Sequence, residues 1–352
     1  MGSALSQAQT ENLDTLVAKH LAENPALPSL AAVVIVDGEL RGQGVAGVRK
    51  RGSEEKVTIA DQYHIGSCTK AFTATLAARL VEEGLLTWET TIGESLSDWK
   101  PDPKIEPATL HQLLTNTGGF PKDVPGPIWR AAWQAEGDPR TQRIAFAQAM
   151  LKNPAFAPGK RYEYSNTGFA LAGIMMEEAA DQSWEELVEE KIFRPLKMKS
   201  AGFYAPAEDP ETLDQPWGHR NDGTPVPPGP GSDNPAAIAP AGAIHCALPD
   251  LAPWLQMHLH AETGPVLQDA ESFEKLHTPV MEDYAMGWVV LSRPWAGGKA
   301  LHHMGSNMMF TMVIWLAPEK DFAAVVATNI GHEVGFLPCD GLIGKLIQTY
   351  LP

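Results

Sequence analysis

Apolar positions along the chain follow two rhythms, and the two occupy different regions. Residues 31–37 and 40–48 are apolar strand-like stretches placed around Asp37-Gly38, a hairpin signal. Strand-like runs return at 285–291, 300–303, 308–316 and 322–329. Between these regions the spacing becomes helical, with the clearest helices predicted over 67–83, 139–151, 167–180 and 183–192. Amphipathic patterns over 9–23 and 335–350 predict one helix near each end. Residues 216–242 break both rhythms with a Pro/Gly-rich stretch that includes Pro225-Val226-Pro227-Pro228-Gly229-Pro230-Gly231. Few backbone donors and a fixed path suit such a stretch to the wall of a cleft.

Strands at both ends and helices in the middle predict an α+β fold. An antiparallel sheet flanked by the N- and C-terminal helices would carry an inserted, mainly helical domain. The expected division is a discontinuous α/β sheet domain over 8–66 and 240–352, with the helical domain over 67–239 and its cleft loop at 216–239. Ligand sites favour seams of this kind. No internal repeat is present, and 352 residues suffice for one large domain or two interleaved ones.

Ser67-Cys68-Thr69-Lys70 opens the helix of 67–83 directly behind Tyr63-His64-Ile65-Gly66. Positions i and i+3 share a helix face, so Lys70 can reach the Ser67 hydroxyl. Burial and the positive end of the helix dipole disfavour an ammonium there. A neutral lysine can take the serine proton and make a nucleophile. Ser-x-x-Lys also occurs at Ser53/Lys56, Ser97/Lys100 and Ser272/Lys275. The first of these lies in a charged, hairpin-like run, the second runs into Pro101 and Pro103, and the third sits in a polar surface segment. Only Ser67/Lys70 begins a helix rich in small residues, closed by Gly84, that can sit deep in a core. Cys68 is an alternative nucleophile, but a base would have to stand around the helix from it; a small buried filler is the plainer reading.

Two further segments carry candidate chemistry. Tyr164-Ser165-Asn166 precedes the helix of 167–180, where a tyrosine can reach into a cleft. Beside an ammonium its phenol pKa should fall, making it a general base. The plainer reading is a packing tyrosine and an asparagine that caps the next helix. His302-His303-Met304-Gly305-Ser306-Asn307 joins two C-terminal strands and could present a side chain and backbone N–H groups to a substrate. A metal site drawn from His258, His260, His302 and His303 lacks a carboxylate or cysteine to complete it, so neither metal nor cofactor is expected.

A net charge of −16 makes nucleic acid and anionic membrane poor partners, and no apolar run is long enough to span a bilayer. Cys68, Cys246 and Cys339 are too scattered for a disulfide framework. Ala4-Leu5-Ser6-Gln7 could follow a removed leader, which gives a periplasmic or secreted protein, with the cytoplasm as the alternative.

Ser67–Lys70, Tyr164–Asn166 and His303–Gly305, in this order, resemble the serine β-lactamase and penicillin-binding-protein superfamily. The nearest likeness is to its class C-like branch with the family VIII esterases and D-aminopeptidases. Supporting signatures are 109–120, Pro240-Ala241-Gly242-Ala243 with Leu248-Pro249-Asp250-Leu251, and the strand-opening Tyr284-Ala285-Met286-Gly287-Trp288. The likeness covers about residues 10 to 350. It implies that Ser67 attacks an acyl carbonyl, Lys70 and Tyr164 share the proton work, and water hydrolyses the acyl-enzyme. Backbone N–H groups of Ser67 and Ser306 would form the oxyanion hole. Asn166 would orient Lys70, and Gly305 would line the substrate's path.

Two departures shift the implied substrate. His303 stands where β-lactamases usually place a lysine for the substrate carboxylate; a neutral histidine holds an anion poorly, although it can donate one hydrogen bond. Asp123, in Gly119-Phe120-Pro121-Lys122-Asp123-Val124-Pro125, replaces a glutamine that serves an amide. The expectation is a serine hydrolase of small esters with weak β-lactamase activity. Alternatives are a D-amino-acid peptidase or amidase, a class C-type β-lactamase, and a non-catalytic ligand-binding scaffold.

Overall fold

The computed structural model describes residues 10–351 apart from residue 230. The residues on which the leader reading rests lie outside that range. Seven strands form the main sheet: β1 (Glu11–Asn12), β2 (Ser29–Val36), β3 (Glu39–Gly47), β4 (Val289–Arg293), β5 (Gly298–Ser306), β6 (Thr311–Ala317) and β7 (Phe322–Thr328). Their spatial order is β1-β3-β2-β7-β6-β5-β4. All pairs are antiparallel except the two-residue edge strand β1, which runs parallel to β3. The β2–β3 turn uses Asp37 and Gly38, both with positive φ (52° and 68°), as a tight hairpin demands.

The central strands are apolar throughout because both faces are covered. Alternation sends Ala31, Val33 and Ile35 of β2 to one core and Leu30, Ala32 and Val34 to the other. Helices α1 (Asp14–Glu23) and α4 (His332–Tyr350) supply Val17, Cys339, Leu342 and Leu346 to the second core. The first core holds α2 (Thr69–Glu82) and α3 (Asn166–Ala180). Every residue of α2 from Thr69 to Ala78 is buried, which its small side chains permit. The helix stops at a Schellman turn: Leu85 N–H donates to Leu80 O (3.0 Å), Gly84 N–H donates to Val81 O (3.0 Å), and Gly84 takes φ 74°.

A buried ion cluster ties the helical region together. The Arg143 guanidinium donates to Glu177 Oε1 (2.6 Å) and Glu185 Oε2 (2.8 Å) and to the Ala236 carbonyl (3.1 Å). Under α2, the Thr75 hydroxyl donates to Ala71 O (2.8 Å) and is 3.2 Å from His258 Nε2, while His258 Nδ1 is 2.9 Å from His277 Nε2.

Several predicted boundaries move. The helix of 9–23 begins at Asp14, since Glu11–Asn12 forms the edge strand; residue 9 lies outside the described residues. The strand of 285–291 begins only at Val289. Gly287 takes φ 79° and crosses the start of α2 so closely that a Cβ there would stand 2.5 Å from Ala71 N, so 284–288 is a loop. The strand of 308–316 shifts to Thr311–Ala317, because Ser306 Oγ donates to Phe310 O (2.6 Å) across a turn in which Met308 takes φ 72°.

Candidate active site

Strand Gln62–His64 delivers the chain into a short 3₁₀ turn, Gly66–Cys68, that runs straight into α2. Ser67 sits on that turn, half-buried, and Lys70 lies one turn below it, fully buried. Lys70 Nζ is 3.2 Å from Ser67 Oγ, 2.7 Å from Asn166 Oδ1 and 2.8 Å from Ala241 O. The last two partners can only accept. A neutral lysine therefore uses both N–H bonds on them and turns its lone pair to the Ser67 hydroxyl. Burial lowers the Lys70 pKa to about 7, so this neutral state is well populated near neutrality. Cys68 is buried, and burial pushes its thiol pKa up, which leaves it a filler.

Tyr164 faces the same group, with Lys70 Nζ 4.7 Å from its ring centroid. Its loop is pinned by Asn116: Ser165 N–H donates to Asn116 Oδ1 (3.0 Å) and Glu163 N–H to Asn116 O (2.9 Å). The expected fall in the Tyr164 pKa does not occur. Burial pushes it up, and the nearby Ser67 hydroxyl opposes this less strongly. A lysine near neutrality also lacks the full charge that the expectation required. Tyr164 therefore begins as a neutral phenol with a proton to give.

Strand β5 brings His303, Gly305 and Ser306 alongside the turn. A Cβ on Gly305 would meet Ser67 N at 2.9 Å and run into the Ile65 carbonyl, and one on Gly66 (φ 52°) would run into Ser306 N. Two glycines thus let the Ser67 and Ser306 amides approach each other. His303 is buried, and burial lowers its pKa to about 3. Its Nδ1 is 2.8 Å from the Met304 carbonyl, an acceptor, so Nδ1 carries the proton. The expected donor to substrate is therefore already engaged, and the free Nε2 can only accept.

A cleft of about 580 Å³ opens over Ser67. Tyr164, Asn166, His303, Ser306 and Asp123 line it, as do Lys122, Tyr162, Tyr284, Met308 and His332. Among the described residues, none that lines it comes from 216–239, so the described part of that stretch is not the wall its composition predicts. Its Asp233 carboxylate instead bonds His64 Nε2 (3.0 Å) and Asn307 Nδ2 (3.0 Å). The four histidines weighed as metal ligands also part company: His258 meets His277, His260 Nε2 lies 2.7 Å from Asp321 Oδ1, and His302 Nδ1 lies 2.9 Å from Ile314 O. Among the described residues, no His, Cys, Asp and Glu group suited to a metal ion is present.

Sequence reasoning missed Tyr284, whose ring stands 6.0 Å from that of Tyr164 and 6.3 Å from that of His303. The sequence places it only at the opening of a strand. The Ala241 carbonyl had no side-chain signal at all.

Residues 6–344 match the family described as Beta-lactamase. The chain belongs to this family. The β-lactamase family is one of serine hydrolases, and its fold explains the sheet, the inserted helices and the cleft between them. Penicillin-binding protein 4 of Amycolatopsis lactamdurans is 25% identical, over 97% of this chain and 90% of that protein. Protein flp of Staphylococcus aureus (strain MW2) is 23% identical over 94% of this chain, which spans only 65% of that longer relative. Among solved structures, the octameric penicillin-binding protein homologue from Pyrococcus abyssi aligns with a TM-score of 0.75 at 27% identity, covering 96% of this chain and 78% of that one. SurE aligns with a TM-score of 0.75 at 22% identity over 95% of this β-lactamase-family chain and 74% of its own, a likeness of fold.

Proposed function

We propose that the protein hydrolyses small, uncharged esters through an acyl-enzyme on Ser67. The observation that carries this reading is the placement of Lys70 Nζ, 3.2 Å from Ser67 Oγ and within 2.8 Å of two groups that can only accept, Asn166 Oδ1 and Ala241 O. Lys70 takes the Ser67 proton as Oγ attacks the ester carbonyl. The Ser67 and Ser306 amides hold the oxyanion, each worth about 3 kcal/mol to the transition state. Tyr164 gives its proton to the departing alkoxide and recovers one from Lys70. Water then attacks the acyl-enzyme, giving its proton to Lys70, and Ser67 Oγ leaves with that proton as the acid is released.

The ester preference rests on His303. With Nδ1 engaged and no positive charge, it offers nothing to a substrate carboxylate. Ester leaving groups also need less protonation than amide nitrogens, which suits a weakly acidic phenol. The test is kcat/KM for p-nitrophenyl butyrate against nitrocefin, with the mass of the protein followed after fluorophosphonate treatment. Faster ester turnover and a label on Ser67 are expected; a clear preference for nitrocefin would end the ester reading. One observation favours that second outcome: Lys122 lines the cleft and could hold a carboxylate in place of the missing lysine. In that case Lys122→Gln should weaken nitrocefin turnover and spare the ester.

A further inference from the structure

The oxyanion hole in the proposed reaction takes its two donors from segments far apart in sequence. The glycines allow them to approach, but something must set their separation. Gly66 N–H donates to His64 Nδ1 (3.0 Å), so His64 carries its proton on Nε2 and donates it to Asp233 Oδ2 (3.0 Å). On the other side, Asn307 Nδ2 donates to Asp233 Oδ1 (3.0 Å). The amide of Asn307 cannot flip, because its Oδ1 already accepts from Met309 N–H (3.1 Å) and Phe310 N–H (2.9 Å). Asp233 Oδ1 also accepts the N–H of Asn234 (2.7 Å). His64 is fully buried, Asn307 is 2% exposed and Asp233 is 9% exposed, so water competes little for these bonds.

We propose that Asp233 is a positioning residue that fastens the two halves of the oxyanion hole to each other. One of its oxygens holds the strand that leads into Ser67, and the other holds the residue that follows Ser306. Only a carboxylate accepts on both oxygens; an asparagine would turn an NH₂ group against one of the donors. Asp233 belongs to the Pro/Gly-rich stretch, which gives that stretch a purpose outside the cleft.

The inference rests on the serine-hydrolase reading, and the experiment separates the two. Asp233→Asn is compared with the wild type after titrating active sites with a fluorophosphonate. kcat and KM for p-nitrophenyl butyrate, the affinity of an alkyl boronic acid and the pH profile are then measured. A mis-set donor should lower kcat by about 10², within the range for losing such a group. Boronic acid affinity should fall by the same factor, KM should stay within about two-fold, and the acid limb set by Lys70 should not move. A variant with wild-type kcat per titrated site and only a lower melting temperature overturns the proposal. Should Asp233→Asn fail to fold, His64→Asn gives the same comparison, since its Oδ1 still serves Gly66 N–H while the contact to Asp233 is lost. A wild-type protein that takes no label at Ser67 removes the hydrolase reading, and the oxyanion fastening with it.

Discussion

In the proposed reaction, Lys70 would set the pH behaviour. Its protonated form has no lone pair for Ser67, so kcat/KM should rise with pH through about 7 and level off above it. A pH–rate profile that is flat between pH 6 and 8 would remove Lys70 as the base. Lys70→Ala and Tyr164→Phe should each lower kcat by about 10² to 10⁴, and together by far less than the product, because they serve one proton path. Single-turnover kinetics on the four proteins checks this. His303→Lys should raise affinity for carboxylate-bearing β-lactams, as read from acylation rates at low nitrocefin concentration. The pairing of Ser67 with Lys70 was legible in the sequence because the chemistry needs an i, i+3 spacing at the start of an apolar helix. The protonation of Tyr164 was not, because it depends on how much water reaches the phenol. The tautomer of His303 was equally hidden, fixed by a backbone carbonyl that any residue at 304 would supply.

At the scale of elements, strand and helix identities were readable from periodicity, and the misplaced ends share a cause. Residues 284–288 and 308–310 are apolar, yet close backbone approach and positive φ at Gly287 and Met308 bend them out of the ladder. Apolar content matches the burial of Tyr284, Ala285, Met286, Trp288, Met309 and Phe310 but not that of Met308, which is exposed, and it does not report the conformation of either segment. The Arg143 cluster gives an element-level prediction. Arg143→Met leaves Glu177 and Glu185 without their shared cation, at a cost of about 3–5 kcal/mol. Urea unfolding measures this; a midpoint within error of the wild type would show that the cluster does not hold the helices together.

For the whole molecule, buried imidazoles couple stability to pH. Burial lowers the His258 pKa to about 3 and holds His277 well below its ordinary value. Below pH about 6.5 the unfolded chain binds protons that the folded pair refuses. Stability should therefore fall as pH drops from about 6.5 toward 3, by up to about 1.4 kcal/mol per pH unit for each such group. The double variant His258→Gln/His277→Gln should unfold in urea with a shallower acid dependence; an unchanged slope would assign acid sensitivity elsewhere. The sheet also imposes an order of events on synthesis. Val33 pairs with Val325, so the edge of β2 that faces away from β3 stays unpaired until β7 has been made. Ser67 emerges early, but β5, which carries Ser306, can be held in register only by strands that are among the last translated. A chain arrested before residue 322 should own every catalytic side chain and still have no esterase activity, with the nascent protein silent until nearly its full length is free to fold.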